Sequence, residues 1–212
     1  MNDTLQKQYA VIFDMDGTLY DTEKIYREAW LNAGVSLELY QTFIGTAHTY
    51  IVETLAAHGM DPDEVIGRKV AYVNETLEKG IPLKPGALEC LKWLREQGWP
   101  CAIATSSSMA TADRYLDATD MRQYFTKVVS GNRLEHGKPE PDIFFMAAEE
   151  LKEVPENCIV IEDSFNGVRA GHAAGMYTVM VPDLVAPDEE ILGLADAVLP
   201  SLSELPALLA SL

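Results

Sequence analysis

The sequence is poor in cysteine and has no long apolar run. Three cysteines, Cys90, Cys101 and Cys158, stand far apart among 212 residues without a Cys-x-x-Cys spacing. Each lies in an apolar stretch, so we expect buried, reduced thiols and a reducing compartment. No apolar run approaches the length of a membrane span, and residues 1–8 are polar, unlike a secretion signal. These absences predict a cytoplasmic protein that does not enter membranes.

Basic residues and histidines are also scarce. The chain has 16 Lys and Arg against 33 Asp and Glu, a net charge of −17, and four histidines. A field of that sign repels phosphate backbones and anionic lipid, which argues against nucleic-acid and membrane-surface binding. His58, His136 and His172 have no carboxylate or cysteine partner at ligand spacing, so no zinc site is expected. The absence of a heptad pattern favours a monomer.

What the sequence does contain is an alternation of short apolar runs with helical stretches of about ten residues. Strands are predicted at Tyr9–Asp14, Cys101–Thr105, Lys127–Ser130, Cys158–Glu162, Tyr177–Val181 and Ala197–Leu199. Helices are predicted after Thr22 and around Leu37–Ile44, Thr49–His58, Asp61–Glu78, Ala87–Gln97, Met109–Asp117, Asp142–Leu151 and Asn166–Ala174, with one more at the end. This order is typical of βαβ units and predicts an α/β fold with a parallel sheet.

One segment breaks the alternation. The 63 residues between Asp21 and Pro85 show helical patterns and no convincing strand, whereas a crossover between parallel strands needs only about a dozen residues or slightly more. We therefore predict a small all-helical domain, residues 22–83, inserted into a sheet domain formed by residues 1–21 and 84–212.

Polar side chains cluster where the predicted strands end. Asp14 closes the first strand, with Asp16 two residues on, and Thr105 closes the second. Lys138 lies in a Gly-Lys-Pro-Glu-Pro turn, and Glu162 and Asp163 end a later strand. Each alone is explained as well by turn or capping chemistry. Together they supply carboxylates, a hydroxyl and one cation to the crevice beyond the carboxyl ends of a parallel sheet.

That combination suits phosphoryl transfer. A carboxylate nucleophile such as Asp14 would divide the reaction into two steps through an aspartyl-phosphate. Its repulsion from a phosphate dianion, roughly 9 kcal/mol at about 3.5 Å and an effective dielectric of 20, must be offset by cations. Carboxylates from Asp14, Asp16, Glu162 and Asp163 suit Mg²⁺, and Lys138 adds a second positive charge. Thr105 could bind the transferring group, and Asp16 could act as general acid and then base.

Four segments taken in order resemble the motifs of the haloacid dehalogenase superfamily, most closely its β-phosphoglucomutase-like phosphatase branch. They are Asp14-Met-Asp16-Gly-Thr18, Ala104-Thr105-Ser106, Gly137-Lys138-Pro-Glu-Pro-Asp142 and Glu162-Asp163-Ser-x-x-Gly167. The resemblance implies a Rossmann-like core with helices on both faces, Mg²⁺, and a helical cap. It implies Asp14 as nucleophile and Asp16 as acid and base. The implied metal ligands are Asp14, the Asp16 carbonyl and Asp163, with Glu162 in an outer shell.

The resemblance leaves two activities open. The leading hypothesis is a phosphatase for a small phosphorylated metabolite, such as a sugar or polyol phosphate, and the alternative is a sugar-phosphate mutase. Mutases of the branch carry a histidine where this chain has Tyr26 and an arginine where it has His48, which favours hydrolysis. The presence of Asp16 argues against dehalogenase chemistry. The further residues predicted to contact substrate are Thr18, Ser106, Tyr26, Gly45, His48 and Lys69.

Two other classes of protein are less consistent with the sequence. Signalling receivers share the Asp, Thr or Ser, and Lys chemistry on a parallel sheet. They have about 120 residues and lack a helical insertion, unlike this chain. A catalytically silent binding protein has no support, because every motif position is filled.

Overall fold

The protein is an α/β structure built on one parallel sheet. The computed structural model describes residues 9–44, 46, 48–131 and 134–212. Its strands are β1 (Ala10–Phe13), β2 (Cys101–Thr105), β3 (Lys127–Ser130), β4 (Cys158–Glu162), β5 (Tyr177–Met180) and β6 (Ala197–Val198). They lie in the order β3-β2-β1-β4-β5-β6, and every neighbouring pair is parallel. This is the strand order of doubly wound nucleotide-binding folds, so the Rossmann-like prediction is confirmed.

Helices cover both faces of the sheet. They are α1 (Glu23–Asn32), α2 (Leu37–Gln41), α3 (His48–Ala57), α4 (Pro62–Leu77), α5 (Ala87–Glu96), α6 (Met109–Ala118), α7 (Asp142–Leu151), α8 (Phe165–Ala173), α9 (Glu189–Leu194) and α10 (Leu205–Leu209). The helix α9 was not predicted from the sequence pattern, and α2 was predicted to extend to Ile44, three residues past its end at Gln41. Within the described ranges, none of these helices combines the length and apolar character that crossing a bilayer requires.

The central strand β1 is buried on both faces, as its uninterrupted apolar sequence predicts. Because successive side chains point to opposite faces, Val11 and Phe13 pack with α5, α6 and α10, whereas Ala10 and Ile12 pack with α7 and α8. The sheet therefore lies between two apolar clusters.

Residues 22–83 contain α1 to α4 and, where described, no strand of the sheet. These helices bury a cluster of their own, which includes Trp30, Phe43 and Leu55. The two connections to the sheet run side by side: the Asp21 backbone N–H donates to the Pro82 carbonyl at 3.0 Å. The division into a helical cap domain and a sheet domain stays a prediction. The separate apolar cluster and the paired connections support it.

Candidate active site

A cavity of about 920 Å³ opens at the carboxyl edge of the sheet. Asp14, directly after β1, and Thr105, at the end of β2, line its sheet side. Trp30 from α1 and Ile66 from α4 line its other side. The backbone N–H of Asp14 donates to the Ile161 carbonyl of β4 at 2.9 Å. This bond continues the ladder of the sheet one residue past β1, so the position of Asp14 is fixed.

Lys138 joins two of the predicted carboxylates. Its Nζ lies 2.5 Å from Asp14 Oδ1, 2.5 Å from Glu162 Oε1 and 3.2 Å from the Ala104 carbonyl. Asp14 is 7% exposed and Glu162 is fully buried. Burial alone would lower the pKa of Lys138, but the two carboxylates outweigh it and hold the pKa above its usual range. The lysine therefore stays charged and fixes Asp14 in place.

Glu162 is fully occupied by hydrogen bonds. Its Oε1 accepts from Lys138, and its Oε2 accepts from the backbone N–H groups of Asp163 and Ser164 and from the Ser164 hydroxyl. A side chain at Gly167 would overlap this carboxylate. Glu162 is thus positioned to hold Lys138, which suits the outer-shell role that the resemblance implies.

Asp163 lies against the Asp14-to-Thr18 turn. Its Oδ1 accepts a hydrogen bond from Thr18 Oγ1 at 3.0 Å. Gly17 has φ +83°, a conformation that favours glycine, and a Cβ there would overlap the Asp163 carboxylate. Thr18 is fully buried and does not line the cavity. This contact places Thr18 behind the site, and its predicted substrate contact stays a prediction.

Three carboxylates converge closely enough to hold one cation. Asp14, Glu162 and Asp163 each present an oxygen within 4.8 Å of the others. Burial, with repulsion from Glu162 among the lesser causes, raises the pKa of Asp14 to about 8 even though Lys138 lowers it. Burial and repulsion from Glu162 and Asp14 likewise raise the pKa of Asp163. Three carboxylates surround one lysine, so the cluster, once ionised, carries more negative charge than Lys138 compensates. Its oxygen donors and excess charge fit Mg²⁺.

Asp16 is held apart from this cluster. Its Oδ1 accepts from the Thr22 hydroxyl at 2.7 Å and the Tyr26 hydroxyl at 3.1 Å, and its Oδ2 accepts from the Ser107 hydroxyl at 2.7 Å. Asp16 lines the cavity, as does Lys138. The two aspartates of the first motif therefore occupy different environments: one is paired with a cation, and the other with hydroxyl groups.

The remaining predicted site residues come from both sides of the cavity. Lys69 lies 4.4 Å from the centre of the Tyr26 ring, and burial lowers its pKa. Ser106 and His48 also line the cavity and are exposed. Gly45 lies outside the described residues. Thr105 points its Oγ1 to the Ser107 N–H, 3.0 Å away. The substrate contacts proposed for these residues stay predictions.

Comparison with known proteins places the chain in a family. A family model described as haloacid dehalogenase-like hydrolase matches residues 10–175. The chain belongs to the haloacid dehalogenase-like hydrolases. It is 33% identical over 210 residues to hexitol phosphatase B of Escherichia coli strain K12, which covers 93% of this chain and 94% of the relative.

Two solved structures have the same fold. CbbY from Rhodobacter sphaeroides, in complex with phosphate, is 28% identical with a TM-score of 0.80, covering 93% of this chain and 96% of that one. A β-phosphoglucomutase from Clostridium difficile has a TM-score of 0.78 at 23% identity, covering 93% of each chain. The second likeness shows the shared fold alone.

Ser107 and Glu23 are among the cavity groups that the sequence did not single out. Ser107 binds Asp16, but three serines follow β2 and nothing local distinguishes them. Glu23 lines the cavity, half-buried, and burial with repulsion from Asp16 raises its pKa to about 7. Its signal was its place at the start of α1, directly after Asp21 and Thr22, where the chain leaves the sheet.

Proposed function

We propose that this hydrolase is a Mg²⁺-dependent phosphatase that releases phosphate from a sugar or polyol phosphate through an aspartyl-phosphate on Asp14. The observation that carries the proposal is the buried Asp14 carboxylate, paired with Lys138 at 2.5 Å and clustered with Asp163 at the cavity. A buried nucleophile beside a fixed cation can approach a phosphate dianion, because the cation offsets the repulsion between the carboxylate and the phosphate.

In this mechanism a free Asp14 oxygen attacks phosphorus, and the bond from phosphorus to the substrate oxygen breaks. Asp16 gives its proton to that oxygen, so the leaving group departs as a neutral alcohol. A water molecule then attacks the aspartyl-phosphate and passes a proton to Asp16. Inorganic phosphate leaves, and the Asp14 carboxylate is restored. Lys138 stays charged throughout and holds Asp14 in the attacking position.

Mg²⁺ would be held by Asp14 and Asp163, together with the Asp16 carbonyl that the resemblance implies. When bound, it would supply the positive charge that offsets repulsion between substrate and carboxylates. Glu162 has both oxygens engaged, which supports an outer position for it.

The cavity supports a small, hydroxylated leaving group. Its volume lies in the range of small-molecule sites. On the helical side it offers Lys69, Glu23 and His48 for hydroxyl groups, beside apolar surface from Trp30 and Ile51. The name of one relative, hexitol phosphatase B, gives a phosphorylated polyol as the substrate of that protein.

Phosphate release tests this function. We expect Mg²⁺-dependent release from some members of a panel of sugar, polyol and nucleoside monophosphates, with none in EDTA. Asp14→Asn, which keeps the size of the side chain, should abolish release. If the native chain isomerises sugar phosphates with a bisphosphate activator and releases little phosphate, it is a mutase and the proposal is wrong.

A further inference from the structure

The hydrogen bonds of Asp16 leave few positions for a reacting proton. A carboxylate has about four lone-pair sites, two on each oxygen. Thr22 and Tyr26 take both sites of Oδ1, and Ser107 takes one site of Oδ2. Within the described part of the chain, no other hydrogen-bond donor reaches this carboxylate. One site therefore remains, and it lies on Oδ2.

The Tyr26 hydroxyl is itself held in position. It lies 2.8 Å from the Tyr115 hydroxyl as well as 3.1 Å from Asp16. A tyrosine hydroxyl has one proton, and a carboxylate is the stronger acceptor. Tyr26 therefore donates to Asp16 and accepts from Tyr115. Lys69 lies over its ring at 4.4 Å, so the ring is held on a second side.

We propose that Tyr26, backed by Tyr115, is a positioning residue that occupies Oδ1 of Asp16 and directs proton transfer through Oδ2. The inference rests on the proposed function, in which Asp16 is the general acid and base. With a proton on Oδ2, the neutral carboxyl group has three acceptor sites, and the three hydroxyl groups fill them all. As the bond from phosphorus to the substrate oxygen breaks, that oxygen takes the Oδ2 proton. In the second step, water returns a proton to the same atom.

The role of Tyr26 can be tested with two substrates whose leaving groups differ in whether they need a proton from a general acid. An alkoxide leaving group from a hexitol monophosphate needs a proton, whereas para-nitrophenolate from para-nitrophenyl phosphate leaves without one. The kcat/KM of each reports the steps through loss of the leaving group. We expect Tyr26→Phe to lower kcat/KM for the hexitol phosphate about tenfold and to change that for the aryl phosphate by less than about twofold.

The second step gives an independent readout. Because water must lose a proton to Asp16 whatever the leaving group was, kcat for para-nitrophenyl phosphate should also fall in Tyr26→Phe. A burst of nitrophenolate should precede the slower steady state, since the aspartyl-phosphate then accumulates. A group that only supports the fold would not produce this pattern.

Two variants serve as controls. Tyr115→Phe leaves the Tyr26 hydroxyl in place, so the same selective loss should occur but be smaller. Tyr72→Phe removes another hydroxyl bond to a carboxylate, 3.2 Å from Glu28, which joins α4 to α1 outside the cavity. It should leave both kcat/KM values unchanged. Thermal unfolding of each variant shows that it is folded.

The outcomes separate this inference from the proposed function. If native protein releases phosphate and Tyr26→Phe matches it on both substrates, or loses both kcat/KM values equally, the positioning role is refuted and the phosphatase stands. If native protein releases no phosphate from either substrate, the proposed function fails first, and the inference falls with it.

Discussion

Replacing Gly167 by alanine should damage catalysis through Glu162 without touching the cavity. Gly167 lies in the first turns of α8, and all three atoms of the Glu162 carboxyl group would lie within 3.0 Å of an added Cβ. Ordinary carbon contacts begin near about 3.5 Å, so the carboxyl group must move by more than about 1 Å. It would then break its bonds to Lys138, Asp163 and Ser164.

The expected losses follow from this displacement. Overpacking and a buried carboxylate with broken hydrogen bonds should lower the free energy of unfolding by about 2–4 kcal/mol. Lys138 would lose one of its two anionic partners, and misplacement by about 1 Å costs roughly a hundredfold in rate. Urea unfolding and phosphate release at saturating substrate and Mg²⁺ measure the two effects on the same preparation.

Gly171→Ala is the matched control. It lies one turn further along α8, and its Cβ would come within 2.7 Å of Thr178 Oγ1 and 3.2 Å of Val160 Cγ1, away from the catalytic groups. We expect a loss of about 1–3 kcal/mol in stability with near-native kcat. The reasoning is refuted if Gly167→Ala keeps native kcat, or if Gly171→Ala loses kcat to the same extent.

Three further predictions concern two glycines of residues 22–83, a cavity carboxylate and the metal. Gly67 lies inside α4 with open space around it, so Gly67→Ala should raise the free energy of unfolding by about 0.5–1 kcal/mol. Gly59 is equally open but has φ +71°, so Gly59→Ala should lower the free energy of unfolding. Urea unfolding measures both effects. The pKa of Glu23 is raised from 4.5 to about 7 in the folded chain, so stability is lost as pH rises through that window. Glu23→Gln should therefore stabilise by roughly 1–2 kcal/mol at pH 8 and little at pH 4, and an equal gain at both would contradict this. Mg²⁺ should raise the melting temperature of the native chain and raise that of Asp163→Asn much less, whereas equal shifts would place the ion elsewhere.

The strands could be predicted closely because their signal is local. Lys127–Ser130 and Cys158–Glu162 match β3 and β4 residue for residue, since each has β-branched residues at its centre. The helix α9 was missed because it has only six residues, one of which is Gly193. So short a segment contains less than two helical turns, too few for a repeating apolar pattern to be recognised. It is stabilised by tertiary packing of Ile191 against Val168 and Met180, which no local pattern contains.

The same distinction applies to the site. Parallel strands bring their carboxyl ends to one edge, so the nearness of Asp14 and Glu162 followed from topology alone. The contact from Tyr26 to Asp16 did not, because it depends on how α1 is rotated about its axis after the turn at Asp21. Thr18 shows the same limit: its position in the motif was clear, but the direction of its hydroxyl depends on the approach of Asp163.

The charges of the site connect its structure to its expected need for metal. Asp14, Glu162 and Asp163 surround a single lysine, so the three carboxylates, once ionised, outweigh its one positive charge. Arg169 also lines the cavity, but its guanidinium is held by Glu190 at 2.8 and 2.9 Å. Lys69 faces Tyr26, and burial lowers its pKa. In a protein of net charge −17, a phosphate dianion beside Asp14 would therefore meet three carboxylates and the single positive charge of Lys138. A divalent cation at Asp14 and Asp163 offsets two charges at the place where the dianion must bind. This is the physical reason to expect metal binding to be measurable without substrate, and to be lost when Asp163 is neutralised.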